Sequence, residues 1–154
     1  MDFGEVKAAL KKLCKKWDER FLCPVLSTHM DITAWPVDEK EGGPATISAS
    51  ELLTSSIAAA ASSPEEAAKL VANHQIGMRV KHDGSKFVFP AADCALLPVH
   101  HSSAEELSRL LCLDLVDAMG GAGALRGRGM RSIKVALIET PRQEARYCLS
   151  LVDA

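Results

Sequence analysis

The sequence has no long hydrophobic run, no paired-cysteine motif and few aromatic residues. None of its apolar stretches approaches the roughly 20 residues that a membrane-spanning helix needs. Its N-terminus opens directly into an amphipathic pattern, which is not that of a signal peptide. Its five cysteines include no CxxC pair, so neither a disulfide framework nor a thiolate zinc site is indicated. We therefore expect a reduced, cytoplasmic protein without a membrane partner.

Charge of either sign is not in excess. The formal net charge is -2, and the charged and apolar fractions, 25% and 47%, are ordinary for a globular protein. Without a positive excess, the chain has no general attraction to nucleic acid, and we expect no nucleic-acid partner. The length of 154 residues predicts a single domain, 1–154, and the alanine-rich region at about 38–76 has the features of an insertion.

Helical periodicity and capping residues predict two main helices. Asp2 is a good N-cap for the first, with Glu5 placed to reach back to its N–H. Ser102 or Ser103 caps the second, whose predicted buried stripe contains Leu107, Leu110, Leu111, Leu115 and Ala118. Two shorter helices are predicted inside the insertion, after Ser48 and after Ser63.

Turn residues predict two hairpins and one loop. Asp83-Gly84 is typical of a tight two-residue turn within 78–89. Glycine-rich Met119–Arg131 lacks a GK[ST] ending and is interpreted as a flexible helix-to-strand connection, not a phosphate loop. In the second hairpin, every second residue of the first strand lies on one face, and these residues are Ile133, Val135 and Leu137. A second strand runs back after residues 140–143.

Glu139 ends the apolar row of that strand. One interpretation is a rim residue that has simply reached water. The other is a carboxylate at the mouth of a pocket, able to accept two N–H bonds from a flat heterocycle.

Four segments in chain order carry a resemblance to a known family. DFGEVK opens a helix, WDERFL closes it, SSAEEL opens a second helix, and ALIETPRQEARY lies near the end. This order resembles the 6-pyruvoyltetrahydropterin synthase and 6-carboxytetrahydropterin synthase family, in which a DF.DLK helix, an LDH..L segment, a PT.EN-type helix start and a V.ET hairpin recur. The resemblance covers most of residues 1–24 and 85–150.

The resemblance implies an α+β T-fold, an antiparallel sheet with two main helices on one face, which forms homo-oligomers with active sites between subunits. It implies action on 7,8-dihydroneopterin triphosphate in pterin or deazapurine biosynthesis. By position, Glu139 would anchor the pterin ring, and Ser103 and Glu105 would lie beside that ring. Asp18 would match an aspartate that holds a catalytic histidine. Glu19 stands in place of that histidine, and a carboxylate can also act as an acid or base.

The resemblance also implies a zinc ion bound by three histidines on two strands that precede the DFG helix. The five histidines of this chain form no HxH or spaced trio, so we expect the zinc ligands to be absent from it. Family members often carry a methionine before the DF pair, inside the domain. We therefore expect Met1 to be an internal start and the first two strands to be missing.

Two other interpretations remain open. The chain can be a non-catalytic module that binds a pterin or purine or serves assembly. It can also be an unrelated α+β domain in which the four motifs coincide, and a helical Ile133–Glu139 segment would support that interpretation.

Overall fold

A computed structural model describes residues 2–152 of the chain. Met1, at which an internal start is predicted, lies outside the described residues. The elements in chain order are α1 (Phe3–Trp17), β1 (Phe21–Pro24), β2 (Met30–Pro36), β3 (Ile47–Ser48), α2 (Ala49–Ser62), α3 (Pro64–Ala72), β4 (His74–Val80), β5 (Lys86–Pro90), a 3₁₀ turn (Ala91–Asp93), β6 (Cys94–Leu97), α4 (Ala104–Ala118), α5 (Gly121–Gly127), β7 (Ser132–Thr140) and β8 (Gln143–Ser150).

Contacts divide the chain into two compact units. The terminal unit comprises residues 2–18 and 102–152, and the central unit comprises residues 19–101. The prediction of one domain with an insertion at about 38–76 stays a prediction. No helix within residues 2–152 is both long enough and apolar enough to cross a membrane.

In the terminal unit, α1 and α4 begin at the predicted caps. The Asp2 carboxylate accepts the Gly4 N–H at 2.8 Å. The Glu5 carboxylate accepts a bond from Arg128 at 3.0 Å. The core lies between α1, α4 and the β7–β8 hairpin, and its buried members are Leu13, Leu111, Cys112, Leu115, Val116, Met119, Leu125, Ile133, Val135 and Leu151. The predicted stripe of α4 is confirmed at Leu107, Leu111 and Leu115, whereas Leu110 is half-buried and Ala118 is exposed.

The β7–β8 hairpin forms as predicted. Ile133 pairs with Leu149 and Thr140 pairs with Gln143, so residues 141 and 142 make the turn. Ile133 and Val135 are buried, while Lys134 and Ala136 on the opposite face are exposed. The segment is therefore a strand, as the T-fold interpretation requires.

The central unit contains a four-stranded sheet in the order β3-β2-β4-β5, all of whose pairs are antiparallel. Separately, β1 pairs with β6 in parallel, with Phe21 opposite Cys94. The helix predicted after Ser48 is present as α2, and it starts with a capping box in which Ser48 and Glu51 each accept the backbone N–H of the other. Residues from β2, β4 and α2, such as Ala34, Ile76 and Leu52, are fully buried in the core of this unit.

Two local predictions were wrong. The β4–β5 connection is longer than two residues, because the Val80 N–H donates to the Ser85 carbonyl at 2.8 Å and residues 81–84 lie between them. Gly84 has the expected positive φ angle, 73°, but Asp83 does not, and its carboxylate accepts the Ser85 N–H at 2.9 Å. The glycine-rich segment after α4 is not simply a flexible connection. It contains helix α5, whose Leu125 is fully buried.

Candidate functional site

Glu139 lies on a β-bulge near the end of β7. Ile138 pairs with Glu144 and Thr140 pairs with Gln143, which leaves Glu139 as the extra residue of its strand. A bulge interrupts the alternation of side chains between the two faces of a strand. The alternation of Ile133, Val135 and Leu137 therefore does not determine the face on which Glu139 lies. The Glu139 side chain is exposed. Exposure agrees with both a rim residue and a carboxylate at the mouth of a binding site.

Ser103 and Glu105 lie at the start of α4. The half-buried Ser103 is the N-cap, and its hydroxyl accepts the Glu106 N–H at 3.3 Å. The Glu105 side chain is exposed, whereas its carbonyl accepts the hydroxyl of the buried Ser108 at 2.9 Å. The first turn of α4 therefore presents one carboxylate to solvent and holds one hydroxyl as a cap.

Chain connectivity brings Glu139 to the same end of the terminal unit as Ser103. Helix α4 packs on both strands of the hairpin. The C-terminal end of α4 continues through α5 into the start of β7, and Met119, Leu125 and Ile133 belong to one core cluster. Strand β7 therefore runs antiparallel to α4, and its last residues lie toward the N-terminus of the helix.

The rise along α4 from its middle residue, Cys112, can be compared with the rise along β7. Burial raises the pKa of Cys112, and the neighbouring Cys148 thiol raises it further. Cys148 pairs with Lys134 in β7. From Cys112 to Ser103 the helix rises about 14 Å, and from Lys134 to Glu139 the strand rises about 16 Å. The two rises are similar, which agrees with Ser103 and Glu139 lying toward the same end of the terminal unit.

Asp18 is the C-cap of α1, and its N–H donates to the Cys14 carbonyl at 3.1 Å. Helix α1 runs antiparallel to α4, because Glu5 near its start binds Arg128, which follows α5. Asp18 therefore lies at the end of α1 that points toward the N-terminal half of α4.

Glu19 is exposed and adopts a left-handed backbone conformation, with φ of 55°. It belongs to the central unit. Connectivity and packing direct Ser103, Glu105 and Glu139 toward the same end of the terminal unit, and the roles of all five residues stay predictions.

The described residues do not fit a three-histidine zinc site. No group of three or more His, Cys, Asp or Glu side chains within residues 2–152 is placed to hold a metal ion. The half-buried ring of His74 contacts the Leu70 carbonyl through Nδ1 at 2.7 Å, and His82 is exposed within the β4–β5 connection.

Sequence reasoning missed two features of the structure. The bulge at Glu139 leaves only a weak sequence signal, since it depends on how β7 registers with β8. The approach of the His29 ring to the His101 ring joins two distant segments and has no local signal.

Comparisons with known proteins identify the fold. The chain is similar to the solved structures of 6-pyruvoyl tetrahydropterin synthase from Plasmodium falciparum, with 23% identity and a TM-score of 0.68, and from Plasmodium vivax, with 21% identity and a TM-score of 0.68. A third similar structure is a Plasmodium vivax variant in which a catalytic glutamate is replaced by alanine, with 21% identity and a TM-score of 0.67. Each alignment covers 97% of this chain and 68% of the other. No family model matches the chain. No curated protein matches it either.

At this level of identity the likeness shows the fold alone. The predicted α+β T-fold and the resemblance to 6-pyruvoyl tetrahydropterin synthase are confirmed as a likeness of structure across nearly the whole chain. The predicted loss of the first two strands is not tested by the comparison.

Proposed function

We propose that this chain binds a pterin at the end of the β7–β8 hairpin, and that its natural ligand is 7,8-dihydroneopterin triphosphate. The fold that it shares with 6-pyruvoyl tetrahydropterin synthases supports the ligand class. The observation that carries the proposal is the bulge that presents Glu139 at the end of the unit where α4 begins. Bulges recur beside binding sites because they re-aim a side chain out of the regular pleat.

The chemistry of recognition follows from the two oxygens of Glu139. The pyrimidine edge of a pterin presents a ring N–H and an amino group side by side, which matches a carboxylate that accepts two parallel bonds. A hydrogen bond to a charged group contributes about 1.5–3 kcal/mol. Such a pair would fix both the position and the orientation of the flat ring.

The start of α4 offers a second set of contacts. The cap bond of Ser103 uses one acceptor lone pair of its hydroxyl, so the O–H can still donate to a ring carbonyl. The positive end of the helix dipole favours an electron-rich oxygen at this place. Glu105, exposed in the first turn, would accept a further N–H from the ligand.

For the reaction, we propose the elimination of triphosphate with Asp18 and Glu19 as the proton-transferring carboxylates. The catalytic glutamate of the Plasmodium vivax protein is a precedent for a carboxylate in this fold. The described residues do not fit the three-histidine zinc site that the resemblance implies. We also propose that the chain forms homo-oligomers.

Isothermal titration with neopterin tests binding. We expect Glu139→Gln, which keeps the shape of the side chain but removes its charge, to weaken binding by at least about tenfold. Glu144→Gln is the matched control, because Glu144 lies on the same hairpin and pairs with Arg146. Equal affinity of wild type and Glu139→Gln, or no binding by a folded wild-type chain, would refute the proposed site.

Triphosphate release from 7,8-dihydroneopterin triphosphate tests the reaction separately. Release that depends on Glu19 would support the proposed elimination of triphosphate. Pterin binding without release would instead favour the other interpretation, a non-catalytic pterin- or purine-binding module.

A further inference from the structure

Two histidines that are far apart in the sequence meet in the central unit. The ring centroids of His29 and His101 lie 5.5 Å apart, and the ring planes are inclined by 31°. Both side chains are exposed. Solvent therefore reaches both rings.

Backbone hydrogen bonds hold the two segments together just before these residues. The Val25 N–H donates to the Leu97 carbonyl at 3.1 Å, and the Leu26 N–H donates to the Val99 carbonyl at 3.2 Å. These bonds extend the parallel pairing of β1 with β6 toward His29 on one segment and His101 on the other. The fold therefore brings the two backbone segments that carry these rings close together.

The backbone of His29 is held on both sides as well. Its N–H donates to the Ser27 hydroxyl at 3.2 Å. Its carbonyl accepts the Lys81 N–H at 3.0 Å, which ties it to the end of β4. A histidine with a fixed backbone loses little further freedom when its ring binds an ion.

We propose that His29 and His101 form a two-histidine site for a divalent cation of the zinc, nickel or copper class. Imidazole nitrogens suit these ions. A metal–nitrogen distance of about 2.0–2.1 Å places the ion about 3.2 Å from each ring centroid. Two centroids 5.5 Å apart then subtend an angle of roughly 120° at the ion, close to the tetrahedral value of about 109°.

The site is completed by water and is of modest affinity. No third His, Cys, Asp or Glu in the described part of the chain joins the pair to make a three-ligand group. The nearby Asp31 lies two residues beyond His29, and its carboxylate pairs with Lys81 at 3.6 Å. Both histidines belong to the central unit, and the proposal does not depend on the proposed function.

Isothermal titration of the purified full chain with NiCl₂, and then with ZnCl₂, tests the site. We expect one ion per chain, and we expect His29→Ala and His101→Ala each to weaken binding by about tenfold or more, since even outer-shell changes at metal sites cost that much. The double variant should bind no more tightly than either single variant. His82→Ala is the matched control, because His82 is another exposed histidine of the central unit.

NMR of the unmodified protein gives a second measurement that needs no variant. Added Zn²⁺ should shift the imidazole resonances of His29 and His101 and leave those of His74 and His82 in place. Absence of binding by the wild type, affinity unchanged in both variants, or equal weakening in His82→Ala would overturn the proposal.

Discussion

Replacing Gly77 by alanine tests how tightly the central sheet is packed. A Cβ on Gly77 would lie 2.6 Å from Cζ3 and 2.8 Å from Cη2 of Trp35, and 3.2 Å from a carboxylate oxygen of Glu41. Gly77 in β4 pairs with Thr33 in β2, and Trp35 lies two residues further along β2 on the same face. The indole therefore occupies the space that a side chain at residue 77 would need.

The expected cost follows from the lack of room. Trp35 is only 6% exposed, and the neighbours of Gly77 in β4, Ile76 and Met78, are also buried. Overpacking of this kind costs about 1–3 kcal/mol. For a chain of this length, each kcal/mol lowers the melting temperature by about 2–4 °C. We therefore expect Gly77→Ala to melt roughly 2–12 °C below the wild type, as measured by circular dichroism.

A double-mutant cycle separates the clash from other effects of the substitution. Trp35→Leu removes the six-membered ring that the new methyl group would meet. In that background, Gly77→Ala should cost little, giving a coupling free energy of about 1 kcal/mol or more. If Gly77→Ala costs the same in both backgrounds, the contact with Trp35 is not the reason for glycine at this position.

Two further predictions concern titrating groups. A thiol reagent should modify two cysteines in the native protein, the exposed Cys14 and Cys148, and all five after unfolding. Burial keeps the reagent from the other three thiols, which are those of Cys23, Cys94 and Cys112. Burial also raises the pKa of Cys23 to about 12 and that of Cys94 to about 11. Burial also raises the pKa of Asp114, so its contribution to stability is fully present below the unfolded-state pKa and is lost as pH rises through the higher folded-state pKa. Asp114→Asn should therefore remove part of the pH dependence of urea unfolding in the mildly acidic range, and identical pH profiles would contradict this assignment.

Local sequence patterns were sufficient for most of the individual elements. The alternation of Ile133 and Val135 with Lys134 and Ala136 specified β7, because one face of that strand is buried and the other is exposed. Serine caps specified the starts of α2, α3 and α4, since a side-chain oxygen that accepts an early N–H acts within a few residues. These signals are local, so one sequence can reveal them.

The remaining features depend on tertiary contacts. Helix α5 is rich in glycine, which opposes helix formation, and the burial of Leu125 helps to overcome that preference. The parallel pairing of β1 with β6 joins segments with most of the central unit between them, and no local pattern encodes it. The face presented by Glu139 depends on the β7–β8 register, which a bulge shifts by one residue.

Glu19 is a candidate catalytic residue whose backbone adopts a left-handed conformation. It follows the C-cap Asp18 of α1 in the left-handed region, a position where helices commonly carry glycine. A side chain in this conformation costs about 1–2 kcal/mol. Glu19→Gly should therefore raise the free energy of unfolding by about 1 kcal/mol in urea, whereas Glu19→Ala should leave it nearly unchanged. Equal stabilisation by both variants would show that the carboxylate, not the backbone, is unfavourable. A more stable Glu19→Gly variant that loses triphosphate release would instead indicate that the glutamate is retained for its chemistry, at the expense of stability.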